Sequence, residues 1–298
     1  MDVKSFVKNP MRAIPFLGRR GWFHWMPDEQ YLKLLFRTYL GYVPDLENPR
    51  TYNEKLQWLK LHDRNPAYPP LADKYAVRAY VAEKIGQEHL IPLLWQGTRF
   101  EDIDFDALPN QFVIKCSHDS GSAVVCRDKA TFDVEKARKK IEKHMARNQY
   151  WGLREWVYKD IPPRILIEQF IGGENLLPED YKFIAFDGKL DCVFVCRDRH
   201  LGHAKYFYHD MNWNRIYRQK VEPVAEKPLE KPENFEEMVR VAKNLSQGFA
   251  HMRVDLYNLK GKIYFGELTF YNDAGFDVEI SRETDEYWGG LICLPREK

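Results

Sequence analysis

The sequence predicts a mixed α/β (α+β) chain, with an α-rich front, a small sheet-and-helix unit and an antiparallel C-terminal sheet. Three observations carry this. Apolar residues recur at helical spacing through the first hundred positions. From Phe112 onward the pattern changes to short apolar runs separated by turn residues. Two hairpins are marked, one at Asp187-Gly188 and one across Asn258-Leu259-Lys260-Gly261-Lys262.

In chain order, Tyr31, Leu32, Leu35, Phe36 and Tyr39 predict a helix from Pro27-Asp28 to Gly41. Thr51-Tyr52-Asn53-Glu54 is a capping-box pattern that opens a second helix. Pro66, Pro69 and Pro70 break the chain before a third, Asp73 to Ile85, and His89 to Trp95 is strand-like. Strands follow at 112–116 and 123–126, then a charged helix from Thr131 to Arg147 and a strand at 165–170. Tyr181–Phe186 and Lys189–Cys196 form the first hairpin, with a further strand at Lys205–His209. A helix from Asn234 to about Gln247 leads into the last hairpin, Arg253–Phe270. Lys220–Pro232, rich in Pro, Glu and Lys, is expected to be a surface loop.

Composition narrows the function classes. The 298 residues carry 45 basic and 44 acidic side chains, which argues against a nucleic-acid partner held by bulk charge. Five cysteines at 116, 126, 192, 196 and 293 show no CxxC spacing, so neither a disulfide framework nor a zinc site is expected. A reducing cytoplasm is the simplest setting. No apolar run reaches the roughly 20 residues of a membrane span, and no signal-peptide pattern opens the chain. Residues 1–26 interleave Lys4, Lys8, Arg12, Arg19 and Arg20 with Phe6, Met11, Phe16, Trp22, Phe23 and Trp25. Such a segment either packs as an arm on the domain behind it or makes a peripheral contact with an anionic membrane, placing the protein at its inner face.

The chemistry concentrates in the last hairpin. A three-residue loop, Leu259-Lys260-Gly261, would pair Asp255 with Phe265 and Arg253 with Glu267. Arg253, Asp255, Glu267 and Thr269 would then share one sheet face, whereas a two-residue turn would put the two carboxylates on opposite faces. Two carboxylates, a third oxygen and an arginine suit Mg²⁺ ions bridging a triphosphate. They equally suit a solvated sheet face with a cross-strand Arg–Glu pair.

Further elements are modest one by one. Lys115 ends a strand before the polar loop Ser117-His118-Asp119-Ser120-Gly121-Ser122, a flap able to cover phosphates or an ordinary hairpin turn. Glu168-Gln169-Phe170-Ile171-Gly172-Gly173-Glu174 is a strand running into a glycine pair, suited to a purine edge and ribose hydroxyls or merely to a solvated turn. Lys182 is a cation flanked by apolar residues on an inner strand, or a snorkelling surface lysine. His200, His203 and His209 are expected to be surface or loop histidines, since their spacing suits no metal.

The order of these elements resembles the ATP-grasp fold. Thr51-Tyr52-Asn53-Glu54-Lys55-Leu56-Gln57-Trp58-Leu59-Lys60 and Ala72-Asp73-Lys74-Tyr75-Ala76-Val77-Arg78 are similar to its TupA-like branch, associated with teichuronopeptide and polysaccharide biosynthesis. The resemblance spans about residues 48–290. It implies an ATP-grasp fold with an α-rich N-terminal region, a lid subdomain and a C-terminal antiparallel-sheet subdomain. The expected boundaries are 1–47 for a basic aromatic arm and helix, 48–110 for an N-terminal α/β subdomain, 111–171 for the lid and 172–298 for the C-terminal subdomain.

The resemblance also implies roles. Lys115 and Lys182 would hold the α- and β-phosphates of ATP under the Ser120-Gly121-Ser122 flap. Main-chain groups of Gln169 and Ile171 would meet adenine, with Glu168 beside them and Glu174 on the ribose. Asp255, Glu267 and Thr269 would hold Mg²⁺, with Arg253 facing the transferring phosphoryl group and Lys182 assisting catalysis. Thr269 departs from the family's usual Glu-x-Asn, so water, Asn272 or Asp273 would complete the metal shell. Lys74 would be a cation of the front subdomain.

The implied activity is an ADP-forming carboxylate–amine ligase acting through an acyl phosphate. Its acceptor would be a small molecule or glycan, a uronic acid or glutamate carboxylate, and its amine an amino acid. A sugar phosphotransferase would use the same ATP site. A glycan-binding or glycosyltransferase-like protein would instead use Trp151, Trp156, Trp213 and Trp288 as stacking platforms.

Overall fold

The computed structural model describes residues 13–172, 178–197, 204–225 and 227–295. Short helix α1, Ala13–Gly18, precedes α2, Asp28–Leu40, which buries Tyr31, Leu32, Leu35 and Phe36. Gly41 ends α2 in the left-handed region at φ 85°, donating its N–H to the Arg37 carbonyl. Helix α3, Tyr52–His62, starts on the expected capping box. Thr51 Oγ1 accepts the Glu54 N–H, and the Glu54 carboxylate accepts the Thr51 N–H.

The proline cluster does more than break the chain. Pro69 and Pro70 sit in the first turn of a short helix, α4 (Tyr68–Ala72), where no backbone N–H is missed. Helix α5 then begins at Val77, not Asp73, and runs to Ile85. Asp73 instead caps a turn, accepting the Tyr75 N–H at 2.9 Å.

Four antiparallel strands form the first sheet: β1 (Leu93–Gly97), β2 (Phe112–Cys116), β3 (Val124–Cys126) and β4 (Ile165–Gln169), in the order β1-β4-β2-β3. The sheet thus draws β1 from before residue 111. Helix α6, Val134–Met145, presses Ala137 and Ile141 into the core shared with Phe112, Ile114, Cys116 and Ile167. Because pleated side chains alternate, the other face carries Val113, Lys115, Leu166 and Glu168. Short helix α7, Tyr150–Leu153, precedes β4.

The second sheet holds β5 (Glu179–Phe186), β6 (Lys189–Arg197), β7 (Lys205–His209), β8 (Met252–Leu259) and β9 (Lys262–Thr269), in the order β7-β6-β5-β8-β9. The β5–β6 turn has positive φ at both Asp187 and Gly188, as its Asp-Gly sequence requires. Helix α8, Phe235–Leu245, packs Phe235 on Phe183 and buries Met238, Val241, Ala242 and Leu245. A C-terminal helix not anticipated from sequence, α9 (Arg282–Leu291), packs on α3 and buries Trp288.

Where the sheet meets these helices, Tyr52 hydroxyl and His251 Nε2 lie 3.0 Å apart among Phe186 and Trp288. Burial pushes the His251 imidazole down to about 3. The folded protein therefore keeps it neutral below pH 6.5, where the unfolded chain takes up a proton, so stability falls as pH drops. We expect wild type to lose about 1.4 kcal/mol per pH unit relative to His251→Gln between pH 6 and 4. Denaturant titrations of both proteins across that range measure it; parallel curves contradict it.

Candidate active site

The β8–β9 register decides the site. The turn is a two-residue one, Lys260-Gly261, with φ 51° and 82°, and Leu259 pairs with Lys262. The three-residue loop expected from sequence is therefore incorrect, and so are the pairs Asp255–Phe265 and Arg253–Glu267. A two-residue turn alone would separate the carboxylates. A β-bulge reverses that: Leu256 pairs with Phe265, Asp255 with Glu267, and Gly266 is the extra residue between them. Arg253 then pairs with Thr269. Arg253, Asp255, Glu267 and Thr269 share one face after all. Gly266 suits this role: a Cβ there would lie 3.0 Å from the Asp255 carbonyl oxygen.

This face is buried at Asp255 and only partly exposed at Arg253, Glu267 and Thr269. Asp255 is 4% exposed and receives Arg253 Nε at 2.7 Å and Nη2 at 2.9 Å, a bidentate contact within one strand. Lys182, opposite Asp255 on β5, also bonds its carboxylate and reaches Asp180 at 2.8 Å. Burial alone raises the Asp255 carboxyl pKa; Arg253 and Lys182 outweigh it and hold the pKa below the ordinary value. Arg253 Nη1 donates to Asn272 Oδ1 at 2.6 Å. Among the described residues these bonds engage three of the five guanidinium N–H groups.

Glu267 pairs with Lys74 at 3.0 Å. Its carboxyl is also held below the ordinary value, burial opposing and the Lys74 ammonium lowering it. Lys74 does more than neutralise. Its Nζ donates to the Asp119 carbonyl at 2.6 Å, and its backbone N–H to the Ser117 carbonyl at 3.0 Å. Both acceptors belong to the flap. Lys74 therefore joins the flap of the first sheet to Glu267 of the second.

Across from this face, Lys115 pairs with Glu168 at 2.6 Å, and Arg78 reaches the same carboxylate at 3.4 Å. Lys74, Arg78, Lys115, Glu168 and Glu267 line one cleft, walled in part by Leu71, Leu90 and Phe265.

The donors fit Mg²⁺. Asp255 and Glu267 are paired across the strands, and Thr269 Oγ1 on their face is buried with no hydrogen-bond partner among the described residues. No closed cluster of three or more His, Cys, Asp or Glu side chains stands among the described residues. Mg²⁺ is commonly held by one or two carboxylates together with substrate phosphates and water.

A family model described as TupA-like ATPgrasp matches residues 54–293. The chain belongs to the TupA-like ATP-grasp family. No curated protein matches it. Among solved structures, D-alanine–D-alanine ligase from Bacillus anthracis complexed with ATP is 18% identical, with a TM-score of 0.38 over 67% of this chain and 55% of that one. The Helicobacter pylori D-alanine–D-alanine ligase is 14% identical, with a TM-score of 0.44 over 82% of this chain and 69% of that one. L-amino acid ligase from Bacillus licheniformis is 15% identical, with a TM-score of 0.43 over 84% and 57%. The TupA-like chain thus spans little more than half of the first and third of these ligases.

Other expected site residues fall less simply in this ATP-grasp protein. Ser120 and Gly121 are exposed at the flap tip. Ser122 is buried, its hydroxyl accepting the Cys116 N–H and donating to Asp119, so it stiffens the flap. Asp119 bonds His144 of α6 as well. Gln169 already donates its N–H to the Pro92 carbonyl at 2.9 Å, and Ile171 follows the end of β4. Glu174, His200 and His203 lie outside the described residues. His209 is not a surface residue: it is buried on β7 and stacked on Trp213 at 4.5 Å. The tryptophan platforms are engaged too. Trp288 is fully buried, Trp213 packs on His209 and Phe235, Trp156 on Tyr68, and Trp151 on His24.

Sequence reasoning missed a polar stripe on α3. Asn53, Gln57 and Lys60, at helical positions i, i+4 and i+7, are all buried. Gln57 and Lys60 hold the Ala274 carbonyl, while Asn53 donates to the Asp277 carbonyl and accepts its N–H. Asp273, Ala274 and Gly275 all have positive φ, a strained turn that these bonds hold directly after Asn272. Polar residues also stand elsewhere on this helix, at Glu54, Lys55 and His62, so nothing in its sequence marks this stripe as the buried one.

Lys74→Met keeps the aliphatic stem but removes the tie between flap and β9. We expect faster amide hydrogen exchange at residues 117–122, unchanged exchange in α6, and a stability loss of roughly 1–2 kcal/mol, moderated by the partial exposure of Glu267. Exchange mass spectrometry checks this; an unaltered flap would show that Lys74 merely balances charge.

Proposed function

We propose that this protein is an ATP-dependent ligase that joins a carboxylate to an amine through an acyl phosphate and releases ADP. One observation carries the reading. Lys74, Arg78 and Lys115 converge on a single cleft with Glu267 of the second sheet, and Arg253 holds Asp255, the cross-strand partner of Glu267.

A carboxylate is a poor electrophile because its oxygen is a poor leaving group. Attack of that oxygen on the γ-phosphorus of ATP forms a new P–O bond as the bond to the β-phosphate oxygen breaks and ADP departs. The amine then adds to the acyl carbon, the C–O bond to phosphate breaks, and phosphate leaves as the nitrogen loses a proton. Lys115 and Lys182 would neutralise the phosphates, and the two remaining N–H groups of Arg253 would meet the charge that develops on oxygen. Asp255, Glu267 and Thr269 would hold Mg²⁺, which supplies charge neutralisation on the polyphosphate. The flap tip at Ser120-Gly121 would cover the phosphates and exclude water from the acyl phosphate.

Membership of the TupA-like family extends the proposal to substrates. The carboxylate would be a uronic acid or glutamate in surface polysaccharide biosynthesis, and the amine that of an amino acid. The phosphotransferase alternative is separated by its lack of any amine requirement.

Positional isotope exchange tests the first step. ATP labelled with ¹⁸O at the β-nonbridging positions should scramble its label when the carboxylate is present without amine, and net ADP release should require both substrates. Release of AMP, or steady ADP formation on a sugar hydroxyl without amine, contradicts the proposal.

A further inference from the structure

The first described turn has a feature the cleft does not use. Residues 19–26, Arg-Arg-Gly-Trp-Phe-His-Trp-Met, form a turn after α1, with Gly21 at φ 93°. The turn is fixed to the body through some of its side chains. The Phe23 ring packs on Tyr31 at 5.6 Å, and its carbonyl accepts Arg154 Nη2 at 2.7 Å. The His24 ring stacks on Trp151 at 3.6 Å, and Met26 joins the same apolar cluster as Phe23. Trp22 and Trp25 point the other way. They are 67% and 75% exposed, and Trp25 Nε1 donates to the Trp22 carbonyl at 3.1 Å. Arg19 and Arg20 are exposed beside them.

An arm that simply buried its aromatics would hide the largest rings first. Here Phe23, His24 and Met26 hold the turn rigid while two indoles stay in water. Indoles favour the boundary between headgroups and acyl chains, where the ring body is apolar and the N–H remains wet. Neighbouring guanidiniums would meet lipid phosphates. Charge supports the same partner: the first 26 residues hold five basic side chains against one acidic, in a chain whose net charge is only +1. No helix among the described residues is long and apolar enough to cross a membrane, so the contact would be peripheral.

We propose that Trp22 and Trp25, flanked by Arg19 and Arg20, form a membrane-surface wedge that docks the protein on an anionic bilayer. Binding weakens with salt, because surface charges are screened within about 10 Å at 0.1 M ionic strength.

Co-sedimentation of the full chain with vesicles of phosphatidylcholine alone, or mixed with phosphatidylglycerol, tests this. Wild type should pellet with the mixed vesicles, with a blue shift of tryptophan emission. Arg19→Gln/Arg20→Gln should lower the partition by roughly 25-fold, from about 1 kcal/mol per basic residue. Trp22→Ser/Trp25→Ser should abolish pelleting and the blue shift; both side chains are exposed, so the variant should keep its far-UV circular dichroism. Wild type remaining in solution with both lipids overturns the proposal. So does pelleting of the tryptophan variant at the wild-type level, or sedimentation velocity showing the indoles consumed in a dimer without vesicle binding.

Discussion

A buried carboxylate stays ionised only if cations reach it, and the site is built around that constraint at Asp255. Its bidentate contact with Arg253 and its bond to Lys182 place three charged groups within a face almost closed to water. Removing any one partner would leave a buried charge uncompensated, which is far more damaging than loss of a surface ion pair. Each group therefore fixes the others. In the proposed function a ligand would exchange partners with this cluster, a phosphate taking Lys182 and a divalent cation taking Asp255.

Helix α3 supports this arrangement from behind. Its buried polar stripe holds the main chain of residues 273–277, and the three left-handed residues there would relax without it. Asn272 sits at the head of that turn and receives Arg253. Strain in one turn, polar atoms on one helix and the aim of one guanidinium are thus linked. This gives the helix a reason to be polar where most helices at such a position are apolar. Every member of the stripe is hydrogen-bonded.

Much of the fold was legible in local chemistry. The capping box at Thr51, the stop at Gly41 and the Asp187-Gly188 turn depend on a few adjacent residues, and each formed as expected. The shared face of Arg253, Asp255, Glu267 and Thr269 was foreseen for the wrong reason. A turn length was inferred where a bulge at Gly266 sets the register, and bulges depend on the partner strand more than on the sequence around them. The tie from Lys74 to the flap, and the role of Lys60 and Gln57, join residues far apart in the chain; spacing alone carries no such information. His209 was misjudged because its burial depends on stacking against Trp213 across a turn.

The proposed function requires the Asp255 and Glu267 face to bind a magnesium–nucleotide complex. The most direct measurement is calorimetric titration of Mg-ATP into wild type and into Asp255→Asn/Glu267→Gln, with the fold of both checked by circular dichroism. Saturable one-to-one binding to wild type, lost or greatly weakened in the folded double variant, is the expected result. No binding to wild type, or equal binding to both proteins, would contradict it.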